Sequence, residues 1–523
     1  MRGLKIKRNY KKCIQVFIFL LVVLSFLVVG VVSTIKKIIL TDNSGENITS
    51  ENLLTSSGSI SWQENGTAIC TEEGDQISPR LVNAGNGSAI ITWADSRNGN
   101  FDIYSQKINS NGITQWTPNG TIVCNAIGKQ YALGMVSANN GSAIIVWIDN
   151  RSGSYDIYAQ KMNSNGIAQW TPNGNLVCNI TADFDYCEVI SDDFGGAIIT
   201  WSENRTGNYG IYSQRINSTG HIQWDVNGTI VCEPNAEIDH YDVINDGSGG
   251  VIVAWTDERL GMPSVYVQRI NSTGIAKWAG DQTLNYQSEL LPYYVFLTSA
   301  ENGNVIVIWY DLMHYPAEYS GTYAQKLNPE GEELWGPNGT QISTYLWSWP
   351  ISDGSGGALL FRNEGAHIYA QKINSNGNAL WRSPGATICS YSEGINEYRA
   401  ISDDNGGAFI TWLNYDRDLF VQKSNSAGKA QWGSKGIPIV TQLGMQVCNA
   451  AYDGSGEIFI VWGERRYDDY DIYVQRVVDN PSSSSGAIPG FNLPIIGLVA
   501  VGIMNIAIIR VYIRKKRLAC INI

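Results

Sequence analysis

Over most of this chain the apolar residues fall in short strand-like runs, never at helical spacing, and the runs return at a near-constant interval. In the first full copy the runs cover 79–83, 89–94, 101–109 and 113–124, divided by turns such as Asn86-Gly87 and Asn111-Gly112. Such dipeptides supply the backbone that tight hairpins need. The second run, Ile90-Ile91-Thr92-Trp93, is apolar on both faces, as a strand packed from both sides must be. Aligned on its tryptophan, the copies give Trp93, Trp147, Trp201, Trp255, Trp309, Phe361, Trp412 and Trp462. The first four steps are each 54 residues and later ones shorten to 52, 51 and 50. A second tryptophan recurs as Trp62, Trp116, Trp170, Trp224, Trp278, Trp335, Trp381 and Trp432.

A four-stranded sheet that is apolar on both faces can bury them only between neighbours like itself. Eight such units therefore predict an all-β chain: an eight-bladed β-propeller of four-stranded blades. Its ends fit a closed ring. The fragment 58–70 matches the second half of a unit whose first half, through Val461-Trp462 and Asp471 to Arg476, stands at the far end. The N-terminal strand 58–70 is expected to complete the last blade, which removes the open edges of a linear stack.

The tails differ from this domain. Residues 1–40 carry eight Lys/Arg and no acid, and an apolar run from Ile14 to Val32 follows the basic cluster, which reads as a signal peptide or an uncleaved signal anchor. Residues 41–57 form a linker and 58–478 the propeller. Residues 479–492 are a Ser/Pro linker ending in Pro489-Gly490-Phe491, 493–513 an apolar transmembrane segment, and 514–523 a basic tail. Hydrophobic helices are thus expected at both termini. Basic residues at both ends place the tails inside a cell membrane and residues 41–478 outside. Twelve Asn-x-Ser/Thr sequons suit that exterior placement, although several coincide with turns of the repeat.

The formal charge of −12 hides an asymmetry, since residues 41–478 hold 23 Lys/Arg against 47 Asp/Glu. A nucleic-acid partner is not expected of such a surface, and the domain is expected to be a monomer. Cys70, Cys124, Cys178, Cys232 and Cys389 share one repeat position. Equivalent positions of adjacent blades lie too far apart for disulfides, so these residues should act as small buried hydrophobes. No Cys/His spacing suggests a metal.

Gln-Lys or Gln-Arg recurs in every unit, from Gln106-Lys107 to Gln475-Arg476, with an aromatic two residues earlier. A buried amide must be bonded, so the glutamine is expected to hold backbone. Asp95-x-Arg97, Asp149-x-Arg151, Glu203-x-Arg205, Asp257-x-Arg259 and Glu464-x-Arg466 mark the loop after the second strand, where an ion pair should pin it.

The stretch Ile216-Asn217-Ser218-Thr219-Gly220-His221-Ile222-Gln223-Trp224 resembles the tryptophan-docking motif of quinoprotein-type eight-bladed propellers. The resemblance covers about ten residues per blade and implies fold and blade number. Adjacent cysteines and a matching set of calcium-binding and catalytic acids are missing, so no cofactor is expected. The Pro-Gly-Phe, apolar span and basic cluster resemble the tripartite sorting signals of archaeal surface proteins, which implies processing and lipid attachment at the C-terminus.

On a repeat scaffold, function should sit where copies depart from their consensus. Blade five enters through Tyr293-Tyr294 and lengthens its second loop around His314-Tyr315; blade six enters through Trp347-Ser348-Trp349. The two–three loops and the connections between blades share one face, so Tyr293, Tyr294, His314, Tyr315, Trp347 and Trp349 are expected to converge near the channel mouth as exposed ligand contacts. The expected function is a membrane-anchored extracellular module that binds a glycan or protein, rather than an enzyme. One alternative is a surface glycan hydrolase using Asp311, Glu318 or Glu364; another is a structural component of the envelope.

Overall fold

The computed structural model describes residues 57–480, except 180–182, 206, 234–237, 279, 285–291, 312–319, 338, 442–444 and 467–468. Both hydrophobic termini, the sorting motif, His314, Tyr315 and Glu318 lie outside the described residues. Among the described residues no helix is long and apolar enough to cross a membrane.

Eight antiparallel sheets follow one another in chain order, each built of strands in the sequence 1-2-3-4 from inside outward. Blade one comprises Gln76–Asn83, Ala89–Asp95, Asp102–Ile108 and Thr121–Cys124. The outer strand is shorter than the pattern predicts. An isolated bridge joins Ile108 to Thr114, the chain then turns through Trp116, and pairing resumes only at Thr121. Gln106 causes the interruption. Its Nε2 donates to the Thr117 carbonyl at 2.7 Å, while its Oε1 accepts the N–H of Trp116 at 2.8 Å. The same arrangement recurs at Gln160, Gln214 and Gln422, so this buried glutamine is scaffold.

The ring closes as the broken repeat requires. In the eighth blade Met445–Tyr452, Glu457–Glu464 and Asp471–Asn480 are completed by Ser57–Ile60 and Thr67–Cys70, both paired to Asp471–Asn480. Thr67 lies opposite Val474 and Cys70 opposite Ile472. Gln475 performs the glutamine's usual task across this seam, donating to the Gln63 carbonyl at 2.8 Å and accepting from the Trp62 N–H at 3.2 Å.

The second strands carry the core. Trp93, Trp147, Trp201, Trp255, Trp309, Trp412 and Trp462 are completely or almost completely buried. All of these indoles but Trp255 lie over a glycine of their own blade; a Cβ at Gly120 would sit 2.6 Å from the Trp93 ring. The outer tryptophans tie blades together, with the Trp116 indole N–H donating to the Ser164 carbonyl and that of Trp224 to Ser272, each at 3.1 Å. The cysteines of the shared position are buried and free, their thiols pushed up to about 12 by burial.

Blade six departs from the expected alignment. The pairing Arg362↔Tyr369 is the register of Trp93↔Tyr104, so Arg362, not Phe361, occupies the tryptophan column. Trp347 fills the vacated space. It is 1% exposed, and its ring lies 2.7 Å from where a Cβ of Gly385 would stand, as Trp93 lies over Gly120. The expectation that Trp347 is an exposed ligand contact is therefore corrected: its indole replaces a missing core residue. Arg362, also buried, stacks against Tyr345 (4.0 Å), Tyr369 (4.5 Å) and Trp347 (5.2 Å).

Candidate functional site: the inner ring of the channel

Each inner strand presents one residue at the same register opposite the second strand. The pairings are Arg80↔Thr92, Gly134↔Val146, Glu188↔Thr200, Asp242↔Ala254, Phe296↔Ile308, Arg399↔Thr411 and Asn449↔Val461. Trp349 takes the position in blade six, just before Ile351↔Leu359. Around the axis the ring thus reads Arg, Gly, Glu, Asp, Phe, Trp, Arg, Asn. Columns that build the scaffold repeat; this one holds seven residue types in eight blades.

A local irregularity aims these side chains. Seven of the eight inner strands shift register just ahead of the ring, between Ile77 and Arg80 in blade one and between Ser348 and Ile351 in blade six. Bulges bend a strand and redirect its side chains. At two of them a non-glycine residue is forced into the left-handed region, Ser78 with φ 54° and Trp349 with φ 49°. A bulky residue there costs roughly 1–3 kcal/mol, a strain that concentrates at binding sites.

Blades four to seven line the channel with a continuous aromatic arc. The Arg399 guanidinium lies 4.9 Å over the Trp349 ring, and Trp349 lies 6.4 Å from Phe296. Phe296 meets Tyr310 at 5.5 Å and His240 at 5.5 Å, and His240 meets Tyr294 at 5.0 Å. Tyr294 touches Tyr293 at 5.3 Å. Tyr293 and Tyr294 remain 51% and 41% exposed and Trp349 is half-buried, so these three expected contacts do meet in one neighbourhood. His240, Phe296 and Tyr310 join them although the sequence reading did not single them out.

The ring's charges are segregated. Asp242 accepts the N–H of Val243 at 2.8 Å and of Leu297, in the next blade, at 2.7 Å. Glu188 accepts the Tyr186 hydroxyl at 2.9 Å. Both acids are crowded by protein while the channel leaves them half-exposed. That desolvation, with the nearby Asp242 charge, raises Glu188 to about 8; desolvation raises Asp242 to about 6. The pair therefore shares protons near neutrality. Burial lowers His240, whose Nδ1 is 3.5 Å from the Val295 N–H.

The other candidate acids stand elsewhere. Asp311 is buried at the register position of Asp95, opposite Gly321. Glu364 is exposed and pairs with the buried Arg362 at 2.5 Å. The Asp-x-Arg motif is an ion pair, as expected: Asp95 and Arg97 meet at 2.5 Å, and the Trp93 indole donates to the same carboxylate at 2.8 Å. Among the described residues no group of His, Cys, Asp and Glu is placed to hold a metal.

No protein family matches the chain, and no curated protein does. Among solved structures it is similar to puromycin hydrolase, at 12% identity over 79% of this chain and 63% of that one, with a TM-score of 0.40. A Pyrococcus horikoshii acylaminoacyl peptidase matches at 9% identity over 78% of this chain and 59% of its own, TM-score 0.40. The chain thus spans less than two thirds of either enzyme. A Dyadobacter fermentans protein of unknown function matches at 9% identity, over 81% of this chain and 98% of its own, TM-score 0.37.

Proposed function

We propose that this propeller is a binding module, displayed outside the cell from its terminal segments, that holds a saccharide in the mouth of its central channel. The aromatic arc carries the reading. Six rings from three consecutive blades meet where scaffold columns would repeat, and flat aromatic faces bordered by polar groups suit the apolar faces of sugar rings. The excess of acids over bases in the domain supports a partner other than nucleic acid. The likeness of the docked tryptophans to quinoprotein propellers supports the scaffold and implies no chemistry here.

The full-length protein, purified in detergent, is expected to bind members of a glycan array, with Tyr294→Ala and Trp349→Ala each losing at least ten-fold in affinity while melting normally. Equal binding by both variants overturns the channel as the site. One observation favours a second reading, glycan hydrolysis: Glu188 stays protonated near neutrality beside the more acidic Asp242, the division of labour of an acid and its partner carboxylate. Release of new reducing ends, abolished by Glu188→Gln, would favour it.

A further inference from the structure

Arg80 and Arg399 stand in the ring two blades apart, on either side of Asn449. Among the described residues Arg80 donates only to carbonyls, Nε to Leu133 at 3.4 Å and Nη1 to Pro79 at 3.1 Å. Arg399 rests on the Trp349 face. Neither forms an ion pair with a described residue, although at least nine of the twelve other described arginines do. Two guanidinium groups that repel one another, one of them half-buried, are costly unless something anionic comes between them. Burial, and then the neighbouring Arg399 charge, pulls Arg80 below its ordinary range.

Space for an anion is present. A cavity of about 210 Å³ opens beside Arg80, bounded by Leu133, Gly134, Glu188 and Asn449. Gly134 keeps it open, because that blade contributes no ring side chain; a Cβ there would stand 2.8 Å from Val189. Asn449 accepts the Leu81 N–H at 3.4 Å, which fixes its amide beside the arginines.

We propose that the ligand is an acidic saccharide of the uronate class, with its carboxylate held by Arg80 and Arg399 and its ring against the aromatic arc. This rests on the saccharide reading above and narrows it. A flat guanidinium matches a planar carboxylate in two-point fashion, which a neutral hydroxyl cannot reproduce. The sugar ring beyond the carboxylate extends from Arg399 toward Trp349. Glu188, which lines the same cavity from the third blade, keeps its proton near neutrality, while the more acidic Asp242 in the fourth blade repels an anion and so fixes the orientation.

Calorimetry on the full-length protein, with a galacturonate oligomer, its methyl ester, a neutral galactose oligomer and a sulfated galactan, tests this. The acid should bind at least ten-fold more tightly than either neutral form and weaken as salt rises. Arg80→Ala and Arg399→Gln should each remove that preference, so that acid and ester bind alike. Arg399 is exposed, so its variant keeps the test open should Arg80→Ala fail to fold. Equal binding of acid and ester, or preference for a sulfated galactan, overturns the carboxylate site and spares the saccharide reading. Binding of none of these sugars overturns both.

Discussion

Replacing Trp347 by alanine separates a core role from a ligand-binding one. Its side chain is almost wholly buried, against Ile306, Ile308, Leu360 and Ile373. An aromatic of this size removes about 150–250 Å² from water, worth ~4–6 kcal/mol at about 25 cal/mol/Å². Measured Trp→Ala losses of about 3–5 kcal/mol agree. Arg362 would also lose one of its three stacked rings, adding about 1 kcal/mol. A loss near 5 kcal/mol follows. For roughly 420 residues melting together, at about 2.1 cal/mol/K per residue, that lowers Tm by about 5–6 °C. Scanning calorimetry reads the shift, and Trp347→Phe should recover about half of it. Trp349→Ala, at a half-exposed and strained position, should leave Tm within about 1 °C. A Trp347→Ala variant that melts like the native protein, or a Trp349→Ala variant that is the more destabilised, would exclude the core role of Trp347.

Stability should fall as pH rises from about 4 to 8, because over that window the folded state keeps protons on Asp242 (up to about 6) and Glu188 (up to about 8) that the unfolded chain has already released. Their contribution is complete at low pH and disappears as pH passes the folded values. Glu188→Gln should flatten Tm across that window; an unchanged slope would exclude the pair. His240, whose folded pKa is lowered, acts in the opposite sense, costing stability only as pH drops below about 6.5. Asp95→Ala strands the Arg97 guanidinium and the Trp93 indole N–H, and is expected to cost about 3–5 kcal/mol in denaturant unfolding. Deleting residues 57–70 bares the edge of Asp471–Asn480, and light scattering should then show concentration-dependent association that the intact ring lacks.

The blades were legible in the sequence because sandwiched strands demand unbroken apolar runs and their turns demand Gly and Asn. The glutamine and the Asp-x-Arg pair were legible as scaffold because they repeat. Trp347 misled because a sequence pattern shows that a residue breaks a repeat, not that it repairs one. Blade six lacks an indole at Arg362, and an indole supplied from the connection just ahead of its inner strand is the repair. The ring escaped notice for the converse reason. Arg80, Gly134, Glu188 and Asp242 share the 54-residue spacing of the tryptophans, yet as a column they look random. Bulges before each of them blur the alternation that marks a channel-facing side. Variety at a fixed interval, in a chain otherwise so uniform, was the available signal.

Both ends of the described chain, Ser57 and Asn480, leave along neighbouring strands of one sheet, with the Ser61 N–H bonded to the Arg476 carbonyl. The two strands run antiparallel, so a force that separates the tails acts at one shared end of that ladder and opens it bond by bond, and the other seven blades feel it only after that seam gives way. Whatever tugs on the channel's occupant would be resisted by the ring, while the mechanical fuse of the molecule lies in a single blade.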